Sequence, residues 1–308
     1  MKNVIIFFLS FLSICFTSFC NGADINGTIT IDGIEREYIL HLPKSYAGDI
    51  PLPLVMVFHG GGGTAKQIKS HTGFNKLADK ENFIVVYPNS VDKNWSDGRI
   101  GDKLPMERDD VKFISNLIDT LSAKYRIDTK RVFSTGISNG GFFSFYLALK
   151  LSGKILAVAP VTANIPENLK DSYKPEYPVS LLLINGTDDP LVKYEGGFVG
   201  FKDDEGGRGR SVSTDSTIKI WLENNKCATG SSVEKIPDVN KKDDCSASRY
   251  TYTGCVDNTE VVLVKITGGG HTWPGASQYL PKFIVGKVCR DFRATEVIWD
   301  FFKNSKSR

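Results

Sequence analysis

Residues Gly136-Ile137-Ser138-Asn139-Gly140, with Gly141 directly after them, constrain this chain more than any other stretch. They follow Arg131-Val132-Phe133-Ser134-Thr135, which reads as a short buried strand. They precede Gly141 to Leu151, where Phe142, Tyr146, Leu147 and Leu149 supply the apolar face of a helix. Strand, sharp turn and helix in that order put a serine at the tip of the turn. A side chain two residues before or after it would collide with the neighbouring strand or helix, so both positions call for glycine. A five-residue pattern also arises by chance, and a glycine-rich turn with an ordinary serine has the same spelling. The rest of the chain has to decide.

More strands of the same kind surround it. Leu54 to Phe58 and Phe83 to Tyr87 are continuous apolar runs, the mark of strands buried on both faces. Thr28 to Ile31 and Arg36 to Leu42 alternate about Asp32-Gly33 and read as a hairpin. Further strands are expected at Ile155 to Val161, Ser180 to Asn185, Arg249 to Thr253 and Val261 to Ile266. Asp109 to Tyr125 is a helix with Val111, Ile114, Leu117, Ile118 and Leu121 on one face, and with Asp109 and Asp110 at its positive end. A short helical segment holds Phe74, Leu77 and Ala78, and helices are expected over Thr214 to Asn225 and Ala294 to Phe302. Asn89 to Pro105 and Glu195 to Gly209 read as loops, and the polar segment Gly230 to Ser248 reads as a surface excursion. Strands alternating with helices predict an α/β fold with a doubly wound, mostly parallel sheet and helices on both faces. Ligands of such sheets bind at the carboxyl ends of the strands. The turns that start at His59, Gly136, Gly186 and Gly268 all fall at such ends.

The 308 residues contain no repeat and no Pro/Ser-rich linker, so residues 24–308 are expected to form a single domain. With 41% hydrophobic and 24% charged residues a sizeable core is available. The net charge is +3 with both signs interspersed, which calls for no nucleic-acid partner; Arg208-Gly209-Arg210 reads as a solvated loop. Residues 1–23 read as a secretory signal peptide: Lys2, an apolar stretch from Val4 to Phe19, then small or polar residues up to Ala23. Cleavage is expected between Cys20 and Ala23, with the chain secreted or periplasmic and no membrane span left after cleavage. A retained anchor would be longer and more uniformly apolar, and lipidation at Cys20, the minor alternative, is disfavoured by Phe19 before it. Cys15 and Cys20 fall in this leader; Cys227, Cys245, Cys255 and Cys289 remain, an even number compatible with two disulfides in any of three connectivities. Free buried thiols are the alternative.

A serine hydroxyl needs a base to take its proton and a third group to orient the base. On sheets of this kind the chain order is serine, acid, histidine. The chain has His41, His59, His71 and His271, and only His271 follows Ser138. Asp188 and Asp189 lie between them in a loop after a strand; Asp189 is favoured, with Asp188 as the fallback. His59-Gly60-Gly61-Gly62-Gly63 follows a buried strand and has the form of half an oxyanion hole, with donors expected from the Gly60-Gly61 region and from the N–H of Asn139. His59 is then a brace for that loop. Trp273 and Trp95 are placed to wall a substrate pocket, with burial in the core the equal alternative. No metal or organic cofactor is required by this chemistry.

The chain resembles the secreted polyhydroxybutyrate depolymerase and feruloyl esterase-like branch of the α/β-hydrolases. The matching stretches are His59-Gly60-Gly61-Gly62, Trp95-Ser96-Asp97-Gly98-Arg99, Asp109-Asp110-Val111, Ser138-Asn139-Gly140-Gly141, Gly186-Thr187-Asp188-Asp189-Pro190 with Tyr194-Glu195-Gly196-Gly197, Gly270-His271-Thr272-Trp273-Pro274-Gly275, and Ala294 to Phe302. The resemblance implies a secreted serine esterase acting on small or oligomeric esters, with Ser138, Asp189 and His271 as its triad; the aspartate that precedes the proline is the family's. A non-catalytic binding protein and an exported serine peptidase are the alternatives on the same fold. The resemblance also implies a Cys227–Cys255 bridge and leaves Cys245 and Cys289, both extra to the pattern, as the second pair. Hydroxyalkanoate, feruloyl and acetyl esters are all compatible with it.

Overall fold

In a computed structural model, residues 22–104, 108–201, 207–228 and 230–306 are described. The expected signal peptide and the Cys20 alternative lie almost wholly outside them. The chain enters as a hairpin of β1 (Ala23–Ile31) and β2 (Ile34–Leu42). Asp32 (φ 51°) and Gly33 (φ 79°) are both left-handed, the turn whose twist suits paired strands. β3 (Leu52–Phe58) is buried at every residue because its side chains serve two cores. Leu54, Met56 and Phe58 pack on one face, Val55 and Val57 on the other.

Helix α1 (Ala65–Thr72) and helix α2 (Phe74–Glu81) are separated by left-handed Gly73. After β4 (Ile84–Pro88) the chain loops to α3 (Asp110–Lys124), whose N-cap Asp109 accepts from the Lys112 N–H. Then come β5 (Ile127–Ile137), α4 (Asn139–Lys150), β6 (Ala157–Val161) and β7 (Ser180–Gly186). The closing elements are α5 (Thr214–Asn224), β12 (Val261–Thr267), the short α6 (Lys282–Val285) and α7 (Ala294–Asn304).

The strand order is β1-β2-β4-β3-β5-β6-β7-β12, continued by β11 (Ser246–Tyr252) and β10 (Ser232–Ile236). β4, β3, β5, β6, β7 and β12 run parallel, and antiparallel strands close both edges. Side chains of α3, α4 and α5 fill the core on one face, those of α1, α2 and α7 the core on the other. Among the described residues no helix is long and apolar enough to cross a membrane.

Two expected loops carry strands. The polar segment 230–248 holds β10 and the start of β11: β10 is an edge strand, exposed at all but Ile236, and needs no apolar run to pair on one side only. The loop after Glu195 contains a two-residue strand β8 (Gly197–Phe198), which pairs with β9 (Arg210–Ser211). Cys227 and Cys255 form a disulfide that ties the end of α5 to the turn before β12. Cys245 and Cys289 are not bridged: both are buried free thiols. The Cys245 thiol donates to the Asp243 carbonyl (3.3 Å) and that of Cys289 to Asp291 Oδ2 (3.6 Å).

Candidate active site

The ends of four parallel strands converge on one cavity of about 830 Å³. β5 ends at Ile137 and α4 begins at Asn139, which leaves Ser138 alone on the turn. Its φ of 57° and ψ of −122° cost a non-glycine residue on the order of 1–3 kcal/mol. Neighbouring groups hold it there. The Ser138 N–H donates to the Val161 carbonyl (3.0 Å) and to Thr162 Oγ1 (3.2 Å), and the Ser138 carbonyl accepts from the Phe142 N–H (2.8 Å). A Cβ on Gly136 would lie 2.8 Å from the Phe58 carbonyl oxygen, and one on Gly140 2.5 Å from it and 2.6 Å from that of His59. The glycines therefore let the serine turn press against the end of β3.

That strand end carries the His59-to-Gly63 loop. The Gly60 carbonyl accepts from the Gly63 N–H (3.0 Å) and from His59 Nδ1 (2.8 Å), while the Gly62 N–H donates to the Lys93 carbonyl (2.8 Å). The N–H groups of Gly60 and Gly61 donate to no protein acceptor among the described residues. The Asn139 N–H opens α4 and has no partner in a preceding turn. His59 is a brace: its Nε2 accepts from the Ser90 N–H (3.2 Å), which leaves the proton on Nδ1. Burial pushes its pKa down to about 4, so the ring is neutral.

β7 and β12 supply the other two groups. His271 Nδ1 lies 2.7 Å from Asp189 Oδ2. Asp189 Oδ1 accepts from the N–H groups of Leu191 and Val192, both at 2.8 Å, so its two oxygens are committed. Asp188 is exposed and accepts from the Thr187 hydroxyl. Of the two adjacent aspartates, the structure pairs Asp189 with the histidine. The His271 backbone is fixed at both ends: its N–H donates to the Val285 carbonyl (2.6 Å), and its carbonyl accepts from the Tyr279 hydroxyl (3.1 Å). His271 and Asp189 are 2% and 4% exposed. Ser138, His271, Gly60, Gly61 and Asn139 all line the cavity, with Leu191, Val199, Phe201, Tyr279, Leu280 and Ile284 among its apolar walls.

Two expected wall residues are elsewhere. Trp95 is fully buried, stacked on Phe143 and edge-on to Phe58, with its Nε1 donating to the His59 carbonyl (3.1 Å). Trp273 is 1% exposed, edge-on to Phe74, with Nε1 on Thr295 Oγ1 (3.0 Å). Neither lines the cavity over Ser138; each is drawn into the core, where a ring this large can be covered and its N–H still bonded. Conversely Arg208, expected in a solvated loop, lines the cavity, because the Gly207 carbonyl accepts from the Lys103 N–H (2.6 Å) and the Arg208 carbonyl from Arg99 Nη1 (2.9 Å). The sequence also hides a buried ion pair beside the site: Arg99 Nη2 lies 2.6 Å from Asp97 Oδ2, and its guanidinium sits over the Phe142 ring. A polar loop with Trp-Ser-Asp-Gly-Arg spelling gives no periodicity from which burial can be read.

Residues 36–165 match the family model of the esterase PHB depolymerases, a span that holds Gly60, Gly61, Ser138 and Asn139. The chain is 28% identical over 284 residues to NocK of Nocardia uniformis subsp. tsuyamanensis, which bears the name of an esterase; the match covers 89% of this chain and 80% of that one. It is 29% identical over 245 residues to feruloyl esterase B of Piromyces equi, covering 77% of this chain and 42% of that longer protein. Among solved structures, the acetyl xylan esterase from Aspergillus awamori superposes with a TM-score of 0.57 at 15% identity, over 82% of this chain and 94% of that one, a likeness of fold. That fold is the α/β-hydrolase fold, with the strand order and helix placement described above. The chain is similar in sequence to the polyhydroxybutyrate depolymerase and feruloyl esterase-like family, has the α/β-hydrolase fold and is a carboxylesterase.

Proposed function

We propose that the chain is a secreted serine esterase in which Ser138, His271 and Asp189 transfer an acyl group from an ester to water. The observation that carries this reading is the buried 2.7 Å contact of His271 Nδ1 with Asp189, opening on the same cavity as the strained Ser138. Asp189 keeps the proton on Nδ1, so Nε2 is the basic nitrogen. Ser138 Oγ attacks the ester carbonyl as His271 Nε2 takes its proton. The carbonyl oxygen becomes an oxyanion that accepts from the N–H groups of Asn139 and of Gly60 or Gly61. Collapse expels the alcohol, which takes the proton from His271. Water then repeats the sequence on the acyl-serine and releases the acid.

Ser138→Ala tests this. The folded variant is expected to hydrolyse p-nitrophenyl acetate on the order of 10⁴- to 10⁶-fold more slowly than the parent; parental turnover in that variant would sink the reading. Feruloyl, acetyl and hydroxyalkanoate esters are the substrate classes to compare: feruloyl esterase and acetyl xylan esterase are the names of relatives and fold neighbours. Methyl ferulate and hydroxybutyrate oligomers, assayed side by side, separate them. Residues 1–23 supply export in this reading, which N-terminal sequencing of the secreted protein tests.

A further inference from the structure

An oxyanion hole works only if its two donors are held at a fixed separation before the charge develops. Here the donors belong to different segments: Gly60 and Gly61 follow β3, and Asn139 starts α4. The segment Trp95 to Arg99 lies between them and is bonded to both. The Asn139 side chain makes three hydrogen bonds to it. Oδ1 accepts from the Trp95 N–H (2.8 Å), and Nδ2 donates to the Trp95 carbonyl (3.0 Å) and to Asp97 Oδ2 (2.7 Å). A backbone N–H only donates and a carbonyl only accepts, so these partners fix which way the amide faces. Both hydrogens of Nδ2 are used.

From Trp95 the connection continues to the other donor loop. Its indole N–H donates to the His59 carbonyl, one peptide from Gly60. Its ring is wedged between Phe58 of β3 (centroids 5.2 Å, edge-on) and Phe143 of α4 (4.8 Å, stacked). Asp97 is itself anchored: Arg99 Nε reaches both of its oxygens, at 3.1 and 3.0 Å, and Nη2 one of them. Asn139, Trp95, Asp97 and Arg99 are all buried, where unmet polar groups would be costly and met ones are strong. Ordinary packing would hold these segments together without any of these four polar links. The chain has spent a buried ion pair and a carboxamide at the one place where two backbone N–H groups need registration.

We infer that the Asn139 side chain and Trp95 are positioning residues that set the separation of the two oxyanion donors. Asn139 thus acts twice, by its backbone N–H on the substrate and by its carboxamide on the geometry. The inference rests on the serine-esterase reading above. Two variants test it. Trp95→Phe retains the ring and removes the indole N–H, and Asn139→Ala removes the carboxamide bonds and keeps the backbone N–H. A displacement of a catalytic group by about 1 Å costs on the order of 100-fold, so the expected loss in kcat is ~10-fold for Trp95→Phe and ~100-fold for Asn139→Ala, with KM within about twofold of the parent. The affinity of a boronic acid, which forms a tetrahedral adduct on the serine, falls by the same factor as kcat/KM. Leu117→Ala, in the core away from these links, is the control for lost packing: it lowers thermal stability while the polar links remain, and its kcat stays close to parental. Should Asn139→Ala fail to fold, Trp95→Phe decides alone. Parental kcat and boronate affinity in a folded Trp95→Phe variant overturn the positioning role and leave the esterase reading standing. A parent protein that neither hydrolyses p-nitrophenyl acetate nor binds the boronate overturns both.

Discussion

The two walls of the cavity are built in opposite ways. The wall that holds Ser138, Gly60, Gly61 and Asn139 is made of strand ends pressed within 2.5–2.8 Å of where a side chain would be, with buried hydrogen bonds behind it. The wall facing it is made of connecting segments and leaves apolar side chains half in water. Phe201 is 53% exposed, Tyr279 42% and Leu280 43%, and Phe283 of α6 stands nearby in sequence at 87%. The first wall has one arrangement open to it, because every shift breaks a buried bond or drives backbone into backbone. The second touches a bound molecule mainly through apolar area, which grades affinity without fixing geometry. In the serine-esterase reading proposed above, chemistry sits on the rigid wall and the choice of ester on the adaptable one.

The difference is broken most severely on the rigid side. Asp189→Asn is expected to lower kcat on the order of 10⁴-fold, because an amide on Nδ1 no longer selects the tautomer with a basic Nε2. Asp188→Asn, one residue away and exposed, is expected to stay within about twofold of the parent. Steady-state kinetics on a chromogenic acetate ester checks both, and an equal loss in the two variants would contradict the pairing of His271 with Asp189.

Next in size is a stability effect at His59. Its pKa in the fold, about 4, lies below the ordinary 6.5, so between those values the unfolded chain binds a proton that the native ring refuses. The contribution is complete above about pH 6.5 and is lost as pH falls toward 4. It amounts to about 3 kcal/mol at most, from roughly 1.4 kcal/mol per pH unit over that gap. His71, whose pKa burial also lowers, acts with the same sign. Urea unfolding from pH 4 to 7 is expected to show stability rising with pH, and His59→Gln should flatten part of that slope. An unchanged slope would mean that His59 is not a neutral buried brace.

The smallest effect is expected on the other wall. Leu280→Ala should leave thermal stability and turnover of a short acetate ester within about twofold of the parent, because the side chain is nearly half exposed. It should raise KM for a bulkier ester by a few fold, the scale of some lost apolar contact area. A large fall in kcat on the acetate ester would erase the division between the walls.

The same division governs what could be read from the chain before its fold was known. The parallel strands declare themselves because burial on both faces demands continuous apolar runs, as in Leu54 to Phe58 and Val261 to Val264. β10 does not, because an edge strand in water carries Glu234 and Lys235 without penalty. In the site, Ser138, Asp189 and His271 stand out through glycine spelling, strand ends and chain order, which are local or ordinal properties. The sequence leaves Trp95 two places because an indole suits a core as well as a pocket; Phe58, Phe143 and the His59 carbonyl, which meet it only in the folded chain, decide between them. Arg208 is hidden for the same reason, since it reaches the cavity through hydrogen bonds of its segment's carbonyls to the Arg99 side chain and the Lys103 N–H, more than a hundred residues earlier. Cys245 and Cys289 show the limit of counting: an even number of thiols permits a second bridge, and both are free thiols here.

The central claim is that Ser138 is the nucleophile. A fluorophosphonate reacts with a serine only where a base has activated it and an oxyanion hole receives the phosphoryl oxygen. Intact mass spectrometry followed by peptide mapping is predicted to find a single adduct, on Ser138, that is absent in both Ser138→Ala and His271→Ala. No adduct on the folded parent, or an adduct that persists in Ser138→Ala, would contradict the account.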